Sequence, residues 1–154
     1  MEISNLERGL ARVEQKIDEI FGDLQSINLA TAPLETLEAM KSWLAIQLNY
    51  LYPLKAQAED DWESSKIARD EVINEKFIEH LSKLEGQGKV GIAERYAKQD
   101  AKEYIRGVAV LHAEYNKRVA AVKSFESMQK SIIQTISTVN KEKSTQQFIQ
   151  GSDG

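Results

Sequence analysis

The chain has 154 residues and a net charge of −4, and 42% of its residues are hydrophobic. This apolar content is sufficient for the core of one structural domain and argues against disorder throughout, while only two prolines and eight glycines interrupt a composition typical of long helices. The absence of cysteine excludes disulfides, thiolate nucleophiles and zinc sites with cysteine ligands.

The sequence predicts neither a membrane span nor a secretory signal. No stretch approaches the roughly 18 consecutive apolar residues of a spanning helix, and the first residues lack the charged and then apolar layout of a signal peptide. We therefore expect a cytoplasmic protein that makes no membrane contact.

Charge is distributed unevenly along the chain. Residues 1–88 hold nine basic and seventeen acidic residues, whereas residues 89–150 hold eleven basic and six acidic ones. This division suits head-to-tail self-association or an anionic partner for the basic half, and a solvated surface of mixed charge is the simpler alternative.

The first predicted element, residues 1–29, is a helix with a narrow apolar seam. Apolar residues recur at alternating spacings of three and four, as in the a and d positions of a coiled coil, and the flanking positions are mostly charged. The seam consists of Ile3, Leu6, Leu10, Val13, Ile17, Ile20, Leu24 and Ile27. Such a seam predicts packing against another helix in a homo-oligomer, or against later helices of the same chain.

A second, shorter helix is predicted over residues 30–53. Thr31, Pro33 and Glu35 form a typical helix start, with proline in the first turn and an acid near the positive end of the helix dipole. Because a proline ring removes a backbone donor and clashes with the preceding turn, Pro53 is expected to kink or end this helix.

Residues 54–143 are predicted to form a long antiparallel helical hairpin. Helical periodicity runs to about residue 85, stops at Gly86-Gln87-Gly88, and resumes in a last helix over about 91–141. Residues 144–154 form a polar tail that is expected to fray. The predicted fold is therefore all-α and oligomeric, with a coiled-coil-type N-terminal helix, a short second helix and the hairpin.

Residues that could carry catalysis are scarce. The two histidines, His80 and His112, have neither the spacing of a zinc-protease motif nor that of a di-iron bundle, and the glycines near residue 86 do not form a phosphate-binding loop. We predict a protein that is not an enzyme and uses no metal or other cofactor.

The clearest polar feature is a basic ridge on the last helix. Arg95, Lys98, Lys102 and Arg106 follow spacings of three, four and four, which place them on one helical face, and Lys89 precedes them. Such a ridge can neutralise successive phosphates, and Tyr96 and Tyr104, which flank it, could stack unpaired bases. The interleaved acidic residues leave an ordinary solvated helix face as the alternative.

Three short segments resemble UvsY-type recombination mediators of T-even-like phages. They are Met40-Lys41-Ser42-Trp43-Leu44, the reversal over 84–89, and Gln147-Phe148-Ile149-Gln150-Gly151 near the C-terminus, so the similar layout covers about residues 40–151. The resemblance implies an oligomeric, non-catalytic protein that binds single-stranded DNA and helps a recombinase to displace single-strand-binding protein. It also implies DNA contacts from the helix before the reversal, where this sequence offers Lys76 and Lys83.

Two functions follow as hypotheses. The leading one is an oligomeric single-stranded-DNA-binding accessory protein of phage-type recombination or replication, acting in the host cytoplasm. The alternative is a helical protein-protein interaction module, such as an assembly scaffold or a phage inhibitor of a host or defence protein.

Overall fold

A computed structural model describes residues 27–151, together with Gln15 and Gly22. It contains three helices, α1 (Leu34–Lys83), α2 (Lys89–Asp100) and α3 (Lys102–Gly151), and no strand within the described residues. The predicted all-α class is thus confirmed. Of the N-terminal seam, only Ile27 belongs to the described residues, and it is half-buried; Ile3 to Leu24 lie outside them.

Helix α1 begins where the sequence predicts. A turn centred on Asn28 precedes it, in which the Asn28 carbonyl accepts from the Thr31 amide at 3.2 Å and the Asn28 side-chain oxygen accepts from the Ala30 amide at 3.1 Å. The Pro33 carbonyl then accepts from the Leu37 amide at 3.1 Å, which starts the helical hydrogen bonding.

Of the two outcomes expected at Pro53, a kink or an end of the helix, the structure excludes an end of α1. The helix runs through this proline for 50 residues. Pro53 deprives the Asn49 carbonyl of its helical donor, but both residues are exposed, so water can hydrate that carbonyl. Leu51 and Ala58 are buried on either side of the proline, and their packing outweighs its local cost. The predicted short second helix is therefore the first part of α1.

The chain divides into two compact units. The first comprises residues 1–48 and 123–154, and the second comprises residues 49–122. In the first unit, the side chains of Leu37 and Leu44 from α1 and of Phe125 and Ile132 from α3 are fully buried. The ring centroids of Trp43 and Phe125 lie 6.4 Å apart, so aromatic and aliphatic packing joins the two helices.

In the second unit, the contacts between helices are antiparallel. Close to the reversal, His80 of α1 meets Asp100 of α2 at 2.7 Å. Farther along α1 towards its N-terminus, the Leu54 carbonyl accepts a hydrogen bond from Arg118 of α3 at 2.5 Å. Contacts nearer the N-terminus of α1 therefore involve residues farther along the helices that follow the reversal. The hairpin predicted for this region is thus antiparallel.

The reversal between α1 and α2 occupies residues 84–88, as predicted. Gly86 and Gly88 have φ angles of 93° and 78°, a left-handed conformation that residues with a Cβ rarely adopt. The predicted last helix has an irregularity at Ala101, yet the Ala101 amide still donates to the Ala97 carbonyl and the Ile105 amide to the Ala101 carbonyl, each at 3.0 Å.

Helix α3 extends farther than the sequence predicts. It continues through Gly151 instead of ending near residue 143, so most of the predicted polar tail is helical. The hydroxyls of Ser144 and Thr145 donate to carbonyls four residues earlier, at 2.9 Å each. These bonds let polar side chains remain within a helix that has little to bury.

Candidate nucleic-acid interface

The inner side of α2 explains why the basic ridge faces solvent. Ala93, Ala97 and Ala101 recur every four residues and are fully buried. Residues at this spacing share one side of a helix, so the cations that alternate with them point away from it. The ridge residues Arg95, Lys98, Lys102 and Arg106 are all exposed, as is Lys89 at the start of α2.

Two of the acidic residues interleaved with the ridge are already bound. The Asp100 carboxylate lies 2.7 Å from Nε2 of His80, which belongs to the opposite helix. The Glu103 carboxylate lies 3.5 Å from Arg106, in an exposed pair that stabilises the helix little. Arg95, Lys98 and Lys102 form no ion pair with any residue in the described part of the chain.

The ridge has the length of a short strand of nucleic acid. Eleven residues separate Arg95 from Arg106, which corresponds to about 16 Å along a helix. At about 3.4 Å per phosphate of a stacked strand, this length matches about five phosphates. Four cations along one exposed edge therefore suit electrostatic binding of a linear polyanion.

Lys76 and Lys83 lie in a different environment. Both Nζ atoms contact the Glu79 carboxylate, at 2.8 Å for Lys76 and 2.7 Å for Lys83. These hydrogen bonds lower the pKa of Glu79 to about 2, and the bond to Glu79 raises the pKa of Lys76. One carboxylate therefore offsets part of the positive charge that these two lysines could offer to a phosphate.

His80 joins α1 to α2. Besides its contact with Asp100, its ring lies 5.4 Å from the ring of Tyr96, so Tyr96 packs partly on the hairpin while its remaining surface borders the ridge. The sequence pattern indicated no more than a surface or half-buried histidine. The contact with His80 directs the Asp100 carboxylate towards α1, whereas the ridge cations face solvent.

Sequence reasoning missed an aromatic stack in the same unit. The Trp62 ring is stacked on His112 at 4.3 Å and on Tyr115 at 5.4 Å, and the Lys66 ammonium lies 4.2 Å from its centroid. No local signal in the sequence pairs Trp62 with these residues. The register of the hairpin could have done so, since Trp62 and His112 are each 25 residues from Gln87 in the reversal.

The described residues include neither a candidate metal-ligand group nor a helix that could span a membrane. Among them, no three His, Asp or Glu side chains are grouped to hold a metal ion. None of the described helices combines the length and the apolar character that a membrane span requires.

Comparison with family models, curated proteins and solved structures finds no match to this chain. The fold and the candidate site together define an all-α protein that carries a row of exposed cations on the outer side of a helical hairpin.

Proposed function

We propose that this protein is a non-enzymatic, oligomeric accessory protein that binds single-stranded DNA, in the manner of the UvsY-type mediators that its sequence resembles. The basic ridge is the binding surface. The observation that carries the proposal is the exposure of four cations along α2 and the first turns of α3, three of them without an ion pair in the described part of the chain. Asp100, which is interleaved with the ridge in the sequence, is bound by His80 of α1.

The ridge binds by charge, so each subunit contributes a weak site without sequence preference. Four phosphate contacts fall within the range of non-specific binding, with dissociation constants of about 10⁻⁴ to 10⁻⁶ M. Oligomerisation through the N-terminal seam then presents several ridges to one strand, and the second and later contacts become intramolecular. The resemblance implies two partners, a recombinase and a single-strand-binding protein. The proposed place of action is the host cytoplasm.

The test is fluorescence anisotropy with a labelled single-stranded oligonucleotide at low salt. The wild-type protein should bind, and Arg95→Glu combined with Lys98→Glu should abolish binding. The matched control reverses two exposed lysines of α3 outside the ridge, Lys123→Glu with Lys130→Glu, and should retain most of the affinity. No binding by the wild type at about 100 µM protein, the weak limit of non-specific affinity, would refute the proposal.

A second candidate function is a protein-protein interaction module. It is favoured by Ile67 and Ile78, which are 61% and 66% exposed and stand eleven residues, about three turns, apart on one side of α1. Glu71 and Glu75 are exposed between them, so this face suits a basic helical partner. In that case the oligonucleotide would not bind, and a captured protein partner would be lost on Ile67→Ser with Ile78→Ser but not on ridge reversal.

A further inference from the structure

An open cleft of about 280 Å³ lies between α1 and α3, within the unit 49–122. Most of its exposed lining is apolar. The cleft is lined by Ser65 and Ala68 of α1 and by Glu103, Tyr104, Gly107 and Leu111 of α3. Ligand pockets for drug-sized molecules start at about 300 Å³, so this cleft suits a single ring system.

Gly107 has no steric role among the described residues. It lies within α3, where glycine is less favourable than alanine by about 1 kcal/mol, and a Cβ built on it would meet no atom within 4 Å. Packing between the described helices therefore does not require a glycine here. A bare backbone at the wall of an open cleft leaves room for a group from outside the chain to approach closely.

Tyr104 and Arg106 determine which group fits. The Tyr104 side chain is 50% exposed and lines the cleft, so its ring is accessible for stacking. Arg106 lies 3.5 Å from Glu103, which also lines the cleft, so one side chain separates the end of the ridge from the cleft. An aromatic surface adjacent to a phosphate-binding cation is the combination by which proteins hold single-stranded nucleic acid.

We propose that this cleft accepts one unpaired base of the bound strand, which stacks on Tyr104 while phosphates farther along the strand contact the ridge. The inference rests on the proposed function, because the ridge brings the strand to the cleft. It adds a second kind of recognition: the ridge contacts phosphates, whereas the cleft contacts a base.

The test compares two labelled strands of equal length, one of mixed bases and one with abasic sites throughout, binding to three variants. Tyr104→Ala removes the stacking ring, and Gly107→Leu fills the cleft. Ala120→Leu is the control, because it adds the same side chain at an exposed position of α3 about 20 Å from Gly107.

Wild-type protein and Ala120→Leu should bind the mixed strand about 5-fold to 150-fold more tightly than the abasic strand, the factor expected from stacking one base. Tyr104→Ala and Gly107→Leu should lose this difference and keep the affinity for the abasic strand. Thermal melting checks that both variants fold. If Gly107→Leu does not fold, Tyr104→Ala alone tests the proposal.

Equal wild-type affinity for the two strands would overturn the proposal that the cleft binds a base and would leave the ridge proposal intact. Equal weakening of both strands by Tyr104→Ala would also overturn it, because the tyrosine would then act on the fold or on the ridge. Absence of binding to either strand would overturn both proposals.

Discussion

Neutralising the centre of the ridge should change the salt dependence of binding by a calculable amount. For single strands, the logarithm of the binding constant falls with the logarithm of salt concentration by about 0.7 per neutralised phosphate. Four contacts, from Arg95 to Arg106, give a slope of about −2.8, which means about a 50-fold loss of affinity between 50 and 200 mM salt. Lys98→Gln with Lys102→Gln leaves two contacts, so the slope should fall to about −1.4 and the loss to about sevenfold.

Anisotropy titrations at four or more salt concentrations measure this slope. Lys123→Gln with Lys130→Gln removes the same charge from exposed positions of α3 outside the ridge, and its slope should equal that of the wild type. If the ridge and control variants flatten the slope equally, binding depends on overall charge. In that case the reasoning from the ridge geometry fails.

Four further predictions concern stability and assembly. Phe125→Ala, at a fully buried ring, should destabilise the protein by about 3 to 5 kcal/mol in chemical denaturation. Pro53→Ala should raise the melting temperature, because alanine restores a donor within α1 and is favoured over proline by up to about 3 kcal/mol. Because the pKa of Glu79 is lowered to about 2, its stabilising contribution should be complete above about pH 4.5 and decline towards pH 2. Leu10→Asp with Ile17→Asp should reduce the mass measured in solution to that of a monomer.

Each of these predictions has a contrary result. A Phe125→Ala loss below about 1 kcal/mol would mean that the site collapses around the deletion. An unchanged or lower melting temperature for Pro53→Ala would show that the proline stabilises the protein at least as much by restricting the unfolded chain as it destabilises the protein by weakening the helix. If Glu79→Gln leaves the acid dependence of stability unchanged, the two lysine contacts do not persist in solution. An unchanged mass for the seam variant would indicate that the seam packs within the chain.

The start of α1 and the reversal follow from local signals, and the sequence predicts both. Pro33 and Glu35 locate the start of α1, and glycine at 86 and 88 predicts the left-handed turn that the structure contains. Pro53 shows where local signals fail. Its effect on a helix depends on whether the freed carbonyl is exposed and whether the neighbouring turns are buried, and neither property can be read from one residue type.

At the candidate site, too, some features follow from local sequence signals and others depend on packing between helices. Helical spacing predicts that Arg95, Lys98 and Lys102 share a face, because that depends on one helix alone. The position of the Asp100 carboxylate, by contrast, depends on the other helix. Asp100 stands two residues before Lys102 and is bound by His80, twenty residues away in sequence.

The two lysines before the reversal, unlike most of the ridge cations, are paired with an acid. Lys76 and Lys83 stand on either side of Glu79 within α1, and helical spacing brings both to its carboxylate. Two cations that share one acid retain about one net positive charge, whereas the three unpaired ridge cations keep their full charge. The ridge therefore has the stronger field for a phosphate strand, and the contribution of Lys76 and Lys83 to binding should be smaller than their number suggests.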